Sequence, residues 1–292
     1  MPTIEDLEPR VYLSLTACPY IVPGDLTGEN DVDLDDFVVL KTAQAEDMLA
    51  QFAVMKINWG PWDAIPIDEN PDSLGTYSTI VGSLFVGGAS PGDVVQSRVL
   101  GDCYYLAALA ALADAAPEYV GRMIADLGDG TFITRFDDGH VVRMTMDLPK
   151  NTSGGLIYAG VRGDMWVALM EKAYAHVRYG ADSYASLDAG WPDAALRQLT
   201  GNYAVSDWVW NYPDLPSHLE SVLANGGAVT LVSQTTNVGP IVANHVYAVT
   251  DVIRDPAGEI VGIELYNPWG NYLSITIPQL LAGFRLVTEV EL

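Results

Sequence analysis

Three residues of this chain, Cys103, His245 and Asn267, have the types and the order needed for nucleophilic catalysis by a thiol. Cys103 lies in Gln96-Ser97-Arg98-Val99-Leu100-Gly101-Asp102-Cys103-Tyr104-Tyr105-Leu106-Ala107, where a loop gives way to an apolar run that reads as a helix. A helix N-terminus carries unpaired N–H groups and partial positive charge, which favour a thiolate over a thiol. His245 falls in a strand-like run, Asn244-His245-Val246-Tyr247, and Asn267 follows another, in Tyr266-Asn267-Pro268-Trp269-Gly270. The gaps of 142 and 22 residues mean that folding must bring the three together. In such a set the histidine takes the cysteine proton and later passes it to a leaving amine. The asparagine fixes the imidazole tautomer without withdrawing its proton.

Each residue alone has an ordinary explanation. A free cysteine in an Ala/Leu-rich helix is usually a small buried hydrophobe, a strand histidine packs, and an asparagine before proline turns the chain. The phrases around them are more specific, and together they resemble the calpain cysteine protease core. Gln96 to Ala108 is similar to that family's nucleophile segment, with Tyr104 where a tryptophan is usual. Trp166-Val167-Ala168-Leu169-Met170-Glu171-Lys172-Ala173-Tyr174-Ala175 is similar to its central helix. Ser183-Tyr184, Ala195-Leu196 and Leu199-Thr200-Gly201 follow in family order, and His245 to Thr250 and Asn267-Pro268-Trp269-Gly270 complete the set. The likeness runs from about residue 80 to the C-terminus.

The resemblance implies an α+β, papain-like core of two lobes, helical around Cys103 and antiparallel β around His245 and Asn267, with the active site in the cleft between them. It implies a cysteine endopeptidase that hydrolyses peptide bonds through a Cys103 thioester. The Gln96 side chain and the Cys103 N–H would then stabilise the oxyanion, and losing such a donor typically costs ~10²–10³ in rate. Trp269 would shield the His–Asn contact from water. Asn244 and Asn202 stand where glycines are usual in the family, which would narrow the cleft.

The elements that must position these groups follow from periodicity. Residues 1–60 read as an acidic N-terminal module ending in a helical stretch, Met48 to Ile57; 61–79, rich in proline and acids, as a linker; 80–205 as the helical lobe; 206–292 as the β lobe. Helices are expected at Cys103 to Ala115, Tyr119 to Leu127 and Met165 to Val177. Thr131 to Phe136 and His140 to Met146 alternate around Asp137-Asp138-Gly139 as a hairpin. Strands are expected at Ala228 to Ser233, His245 to Ile253, Ile260 to Tyr266, Tyr272 to Thr276 and Arg285 to Val290, with one helix, Ser217 to Ala224, among them.

Calcium enters twice. Val86-Gly87-Gly88-Ala89-Ser90-Pro91-Gly92-Asp93 resembles the calcium loop of the calpain helical lobe, which implies ligation by the backbone oxygens of Val86 and Gly88 and by the carboxylates of Asp93 and Glu171. The acidic stretch that follows Asn-Pro-Trp-Gly in calpains is missing, so one core site at most is expected. Separately, Asp25 to Asp36 looks like a dockerin or EF-hand loop, with Asp25, Thr27, Glu29, Asp31 (by its carbonyl), Asp33 and Asp36 at the ligand positions. Asn30 replaces the usual glycine, no paired loop follows, and a solvated acidic loop is the alternative.

Composition narrows the partners. With 38 acidic against 14 basic residues and a net charge of −24, nucleic acid and anionic membranes are poor partners, and protein or peptide substrates are expected. No apolar run approaches the ~20 residues of a membrane span. Two cysteines, Cys18 and Cys103, give no disulfide framework. The absence of a signal-peptide pattern points to the cytoplasm, whereas the dockerin-like loop and the acidity suit an extracellular setting. The N-terminal module could dock a partner. Two other functions share these residues: a calpain-fold binding or scaffold module without turnover, and a thioester-based acyl transferase.

Overall fold

Ten consecutive residues, Tyr104 to Ala113, are buried along the first helix, α1 (Cys103–Ala115). A helix apolar on every side belongs in the middle of a fold, and this one organises the larger of two hydrophobic cores. The computed structural model describes residues 65–292. The acidic loop Asp25 to Asp36, the helix expected at Met48 to Ile57, Cys18 and the start of the linker lie outside the described residues.

Around α1 the first half assembles from β1 (Thr76–Thr79), α2 (Pro117–Met123), the meander β2 (Ile124–Asp126), β3 (Thr131–Arg135) and β4 (Val141–Thr145), then β5 (Asp147–Lys150), which pairs with β1. α3 (Trp166–Val177) and α4 (Pro192–Thr200) complete it. The second half holds β6 (Val205–Trp208), α5 (Leu215–Ala224), β7 (Ala228–Ser233), β8 (Val246–Arg254), β9 (Ile260–Asn267), β10 (Asn271–Thr276), α6 (Ile277–Gly283) and β11 (Phe284–Val290). Its six strands form one antiparallel sheet in the order β10-β9-β8-β7-β11-β6. The expected α+β architecture is therefore present.

The sheet serves both cores. Successive strand residues point to opposite faces, and all six residues of β7 are buried. Val232, Val246, Ala248 and Tyr266 join the core of α1. Val229, Leu231, Tyr247, Val249 and Leu265 join a second core that includes Leu219 of α5 and Leu280 of α6. This two-sided burial brings the N-terminus of α1 against the start of β8. No helix among the described residues is long and apolar enough to cross a membrane.

Three expectations need correction. The helix placed at Tyr119 to Leu127 begins at Pro117, whose fixed φ suits a first helical position, and stops at Met123; Ile124–Asp126 extend and pair with β3, Ile124 opposite Thr134. The second half holds another helix, α6, started by a capping box between Thr276 and Gln279. Residues from Pro66 onward are part of the compact unit, not a linker. Asp68 N–H donates to Arg143 O at 2.7 Å and Asp72 N–H to Asp182 O at 2.9 Å, and Thr76 pairs with Lys150. Prolines and acids mark an extended segment here, and its backbone donors are used by the fold.

Lys172 ties the central helix to this ladder. Its side chain is buried, and Nζ donates to Thr145 O and Asp147 O, each at 2.9 Å. Burial pushes its pKa down to about 8, against the pull of Asp147. Lys172→Met removes both donors and leaves two carbonyls facing an apolar chain, so it should destabilise the protein by on the order of 3 kcal/mol. The shift of the urea midpoint measures this, and an unchanged midpoint would refute the role.

Candidate active site

His245 and Asn267 meet because β8 and β9 are neighbours, with Ala248 opposite Tyr266. His245 Nε2 lies 2.8 Å from Asn267 Oδ1, and both side chains are buried. Trp269 N–H donates to the same oxygen at 3.0 Å, which identifies it as the carbonyl end of the amide. The imidazole must then donate as well, so the proton sits on Nε2 and the Nδ1 lone pair is free. Ser233 locks the main chain: His245 N–H donates to Ser233 Oγ at 2.8 Å, and that hydroxyl donates to His245 O at 3.0 Å. The Trp269 ring centroid lies 4.6 Å from that of His245. Burial lowers the His245 pKa, and the bond to Asn267 opposes the shift.

Cys103 is the first residue of α1, free and half-buried. Val246 N–H, next to His245, approaches its sulfur. The expected resting thiolate is not what this environment favours. Burial pushes the Cys103 thiol up to about 11, the Asp102 carboxylate adds to the shift, and the N–H groups of Val246 and Cys103 only partly offset it. Both shifts favour the neutral thiol and neutral imidazole over the ion pair. The helix N-terminus is present, yet its cap residue is an acid.

Gln96 is buried beneath this helix start. Its Nε2 donates to Leu100 O and to Asp102 Oδ1, each at 2.9 Å, so both amide protons are engaged within the nucleophile loop. Asp102 is fully buried and hydrogen-bonds Glu171 from α3, which also accepts Ala159 N–H at 2.9 Å. Burial raises the pKa of both carboxyls; the Asp102 charge raises Glu171 further, whereas the hydrogen bond from Glu171 partly lowers Asp102. Asp188 accepts Gly101 N–H at 2.9 Å and Ala189 N–H donates to Gly101 O at 3.1 Å, bolting a second loop to the nucleophile loop. The buried Arg178 holds that loop through Leu187 O and Ala189 O. Asp102 and Asp188 escaped sequence reasoning; adjacency to Cys103 was the one available signal, for Asp102.

Residues 76–274 match the profile of the calpain family cysteine protease. The chain belongs to that family. It is 30% identical over 215 residues to the calpain-type cysteine protease DEK1 of Arabidopsis thaliana, which covers 64% of this chain and 9% of the relative. It is 32% identical over 216 residues to Calpain-B of Drosophila melanogaster (64% and 22%), and 32% over 205 residues to Calpain-13 of Rattus norvegicus (63% and 30%). The aligned part thus spans less than a third of each of these relatives.

Within the calpain core, the two asparagines placed where glycines are usual have distinct physical accounts. Asn244 adopts φ 51°, the left-handed conformation in which asparagine is the side chain best tolerated after glycine. Asn202 sends its amide to Glu291 O at 2.7 Å, binding it to the C-terminal end of the chain.

The loop expected to bind calcium meets a different carboxylate from the one expected. Glu171, expected beside it, instead engages Asp102 and Ala159. The carboxyl that meets Asp93 is Asp164, just before α3. Burial and the Asp93 charge raise its pKa, Val86 N–H faces it, and its Oδ1 is buried without a hydrogen-bond partner. Asp93 Oδ2 accepts Ser90 N–H at 2.8 Å and Trp166 Nε1–H at 3.0 Å. Among the described residues no cluster of three or more His, Cys, Asp or Glu could hold a metal. A cation here would be held by two carboxylates and main-chain oxygens of the loop, where Gly87 and Gly88 adopt φ 119° and 98°. Such hard donors, with one orphaned oxygen, fit Ca²⁺.

Asp102→Asn keeps an acceptor for Gln96 and removes the charge that opposes ionisation of Cys103. The thiol titration should move down by on the order of one unit. The pH dependence of iodoacetamide alkylation at Cys103 reads this, and a profile unchanged or moved upward would refute it.

Proposed function

We propose that this calpain-family chain is a cysteine endopeptidase that cleaves proteins through a Cys103 thioester. The observation that carries the reading is the shared Asn267 oxygen, which leaves His245 Nδ1 as the base beside a cysteine at a helix start. Nδ1 takes the Sγ proton as sulfur attacks the peptide carbonyl. The charge developing on the carbonyl oxygen is met by the Cys103 N–H and, once its amide gives up a present acceptor, by Gln96. The imidazolium passes its proton to the leaving amine, giving a free amino terminus and a thioester. Water then attacks the thioester, with Nδ1 again as base, and releases the acid and the thiol. Trp269 keeps solvent from the His245–Asn267 bond, which turns the ring and holds its tautomer.

Hydrolysis of denatured casein, followed as new amino termini by mass spectrometry, tests the reading. Cys103→Ala should abolish cleavage, and Asn267→Ala should lower kcat roughly 10²-fold through loss of the correct tautomer. Residual cleavage by Cys103→Ala, or crosslinked amines in place of new termini, would overturn it.

We also propose calcium dependence, with Asp93, Asp164 and the backbone oxygens of Val86 and Gly88 as the core ligands. Asp93 and Asp164 would hold the ion, whose positive charge would let Asp164 ionise beside Asp93 and would fix the loop leading to Gln96. Millimolar Ca²⁺ should raise Tm by several degrees, as expected for binding to the native state alone. Asp164→Asn should abolish that shift and Glu171→Gln should retain it; the reverse pattern would restore Glu171 as the ligand.

A further inference from the structure

The nucleophile loop carries a cation that the chemistry above does not use. Gln96 N–H donates to Pro268 O at 2.6 Å, and the Gln96 amide closes on Leu100 O at 2.9 Å. The residues between, Ser97-Arg98-Val99, are thereby held outward as a short bulge, with Val99 N–H bonded to Ser97 Oγ at 3.0 Å. Arg98 is exposed, and its Cζ stands 4.6 Å from the Trp269 ring centroid. Trp269 is thus the common neighbour of the Arg98 guanidinium and the His245 imidazole. No carboxylate among the described residues pairs with Arg98. Of the charges named around the nucleophile, Asp102, Glu171 and Asp188 are acidic, and the one base, Arg178, is buried against the carbonyls of Leu187 and Ala189.

The direction of the reaction gives this cation a place on the substrate. The leaving amine must lie beside His245, because that ring protonates it, so the chain after the scissile bond runs on the His245–Trp269 side. We infer that Arg98 is a specificity residue that selects an aspartate or glutamate side chain within the first two residues after the cleaved bond. The stack on Trp269 holds the guanidinium in a restricted orientation with its N–H edges free for a carboxylate. In a chain of net charge −24, a local cation is also where an acidic substrate segment can approach without repulsion. The inference rests on the peptidase reading.

The test uses the full chain with Ca²⁺ and peptides built on a site mapped in denatured casein, with Glu, Gln or Lys in the first or second position after the cleaved bond. Wild type should favour Glu over Gln in kcat/KM by roughly fivefold, the scale of a solvent-exposed ion pair, and disfavour Lys. Arg98→Gln should level the three, and Arg98→Glu should invert the order, while the Gln peptide keeps its wild-type rate within about threefold. If Arg98→Glu slows all three peptides alike, the stack merely packs one loop on the other and the inference falls. Equal rates for all peptides in the wild type overturn it too. Cleavage of no peptide and no casein would remove the peptidase reading, and this inference with it.

Discussion

One oxygen atom, Asn267 Oδ1, orders the site. It accepts from His245 Nε2 and from the Trp269 main chain, and those two bonds cannot both form unless the amide presents its carbonyl end and the imidazole its N–H. The tautomer, the free Nδ1 and the position of the indole are therefore set together. The fold's task is to deliver that oxygen to His245, and it does so through ordinary ladder geometry: β8 beside β9, His245 just before one strand and Asn267 closing the other. Pro268 supports the arrangement from the other direction, since its carbonyl accepts Gln96 N–H and joins the asparagine turn to the nucleophile loop.

The electrostatics beneath Cys103 run against the simplest view of a cysteine nucleophile. A helix N-terminus lowers a thiol pKa, but here the residue before the helix is a buried acid coupled to a second buried acid. Burying an unpaired carboxylate is strongly unfavourable, so the pair retains a proton more readily than an exposed carboxyl would. It persists because it is useful mechanically: Asp102 holds Gln96, Glu171 holds Ala159, and their contact joins the nucleophile loop to α3. Thiolate character then has to arise during proton transfer to Nδ1, aided by the N–H groups of Val246 and Cys103.

Much of this was legible from residue order. The extent of α1 was visible because its alanine and leucine run ends just before Pro117, and the β3–β4 hairpin because Asp137-Asp138-Gly139 punctuates two alternating runs. The segment from Pro66 to Thr79 was misread because prolines and acids signal a linker by composition, whereas its role rests on backbone hydrogen bonds to residues far along the chain, which no local pattern encodes. The triad residues were findable since each sits in a distinctive phrase. Asp164 was not, because its significance is a meeting with Asp93, 71 positions earlier in the sequence. Glu171 drew attention for being a carboxylate in a recognisable helix, yet a side chain's direction depends on what packs around the helix, and Ala159 and Asp102 claim it.

The two lobes are not equivalent in how they hold the chemistry. The β side fixes His245 through its main chain, by Ser233, and through its ring, by Asn267, leaving the imidazole little freedom. On the helical side, Cys103 is fixed by its place in α1, but Gln96, the side chain proposed to meet the oxyanion, is engaged within its own loop. Buried hydrogen bonds are exchanged only for equivalent ones, since an unpaired polar group costs about 1–3 kcal/mol. Gln96 can therefore turn to a developing oxyanion only when that oxyanion replaces Leu100 O or Asp102 as its acceptor. A charged acceptor makes the stronger bond, so the exchange favours the transition state over the ground-state carbonyl. By this argument the loop that carries Gln96, and not the histidine side, is where the chain separates a resting site from a working one. It is also the loop that begins at Asp93, beside Asp164.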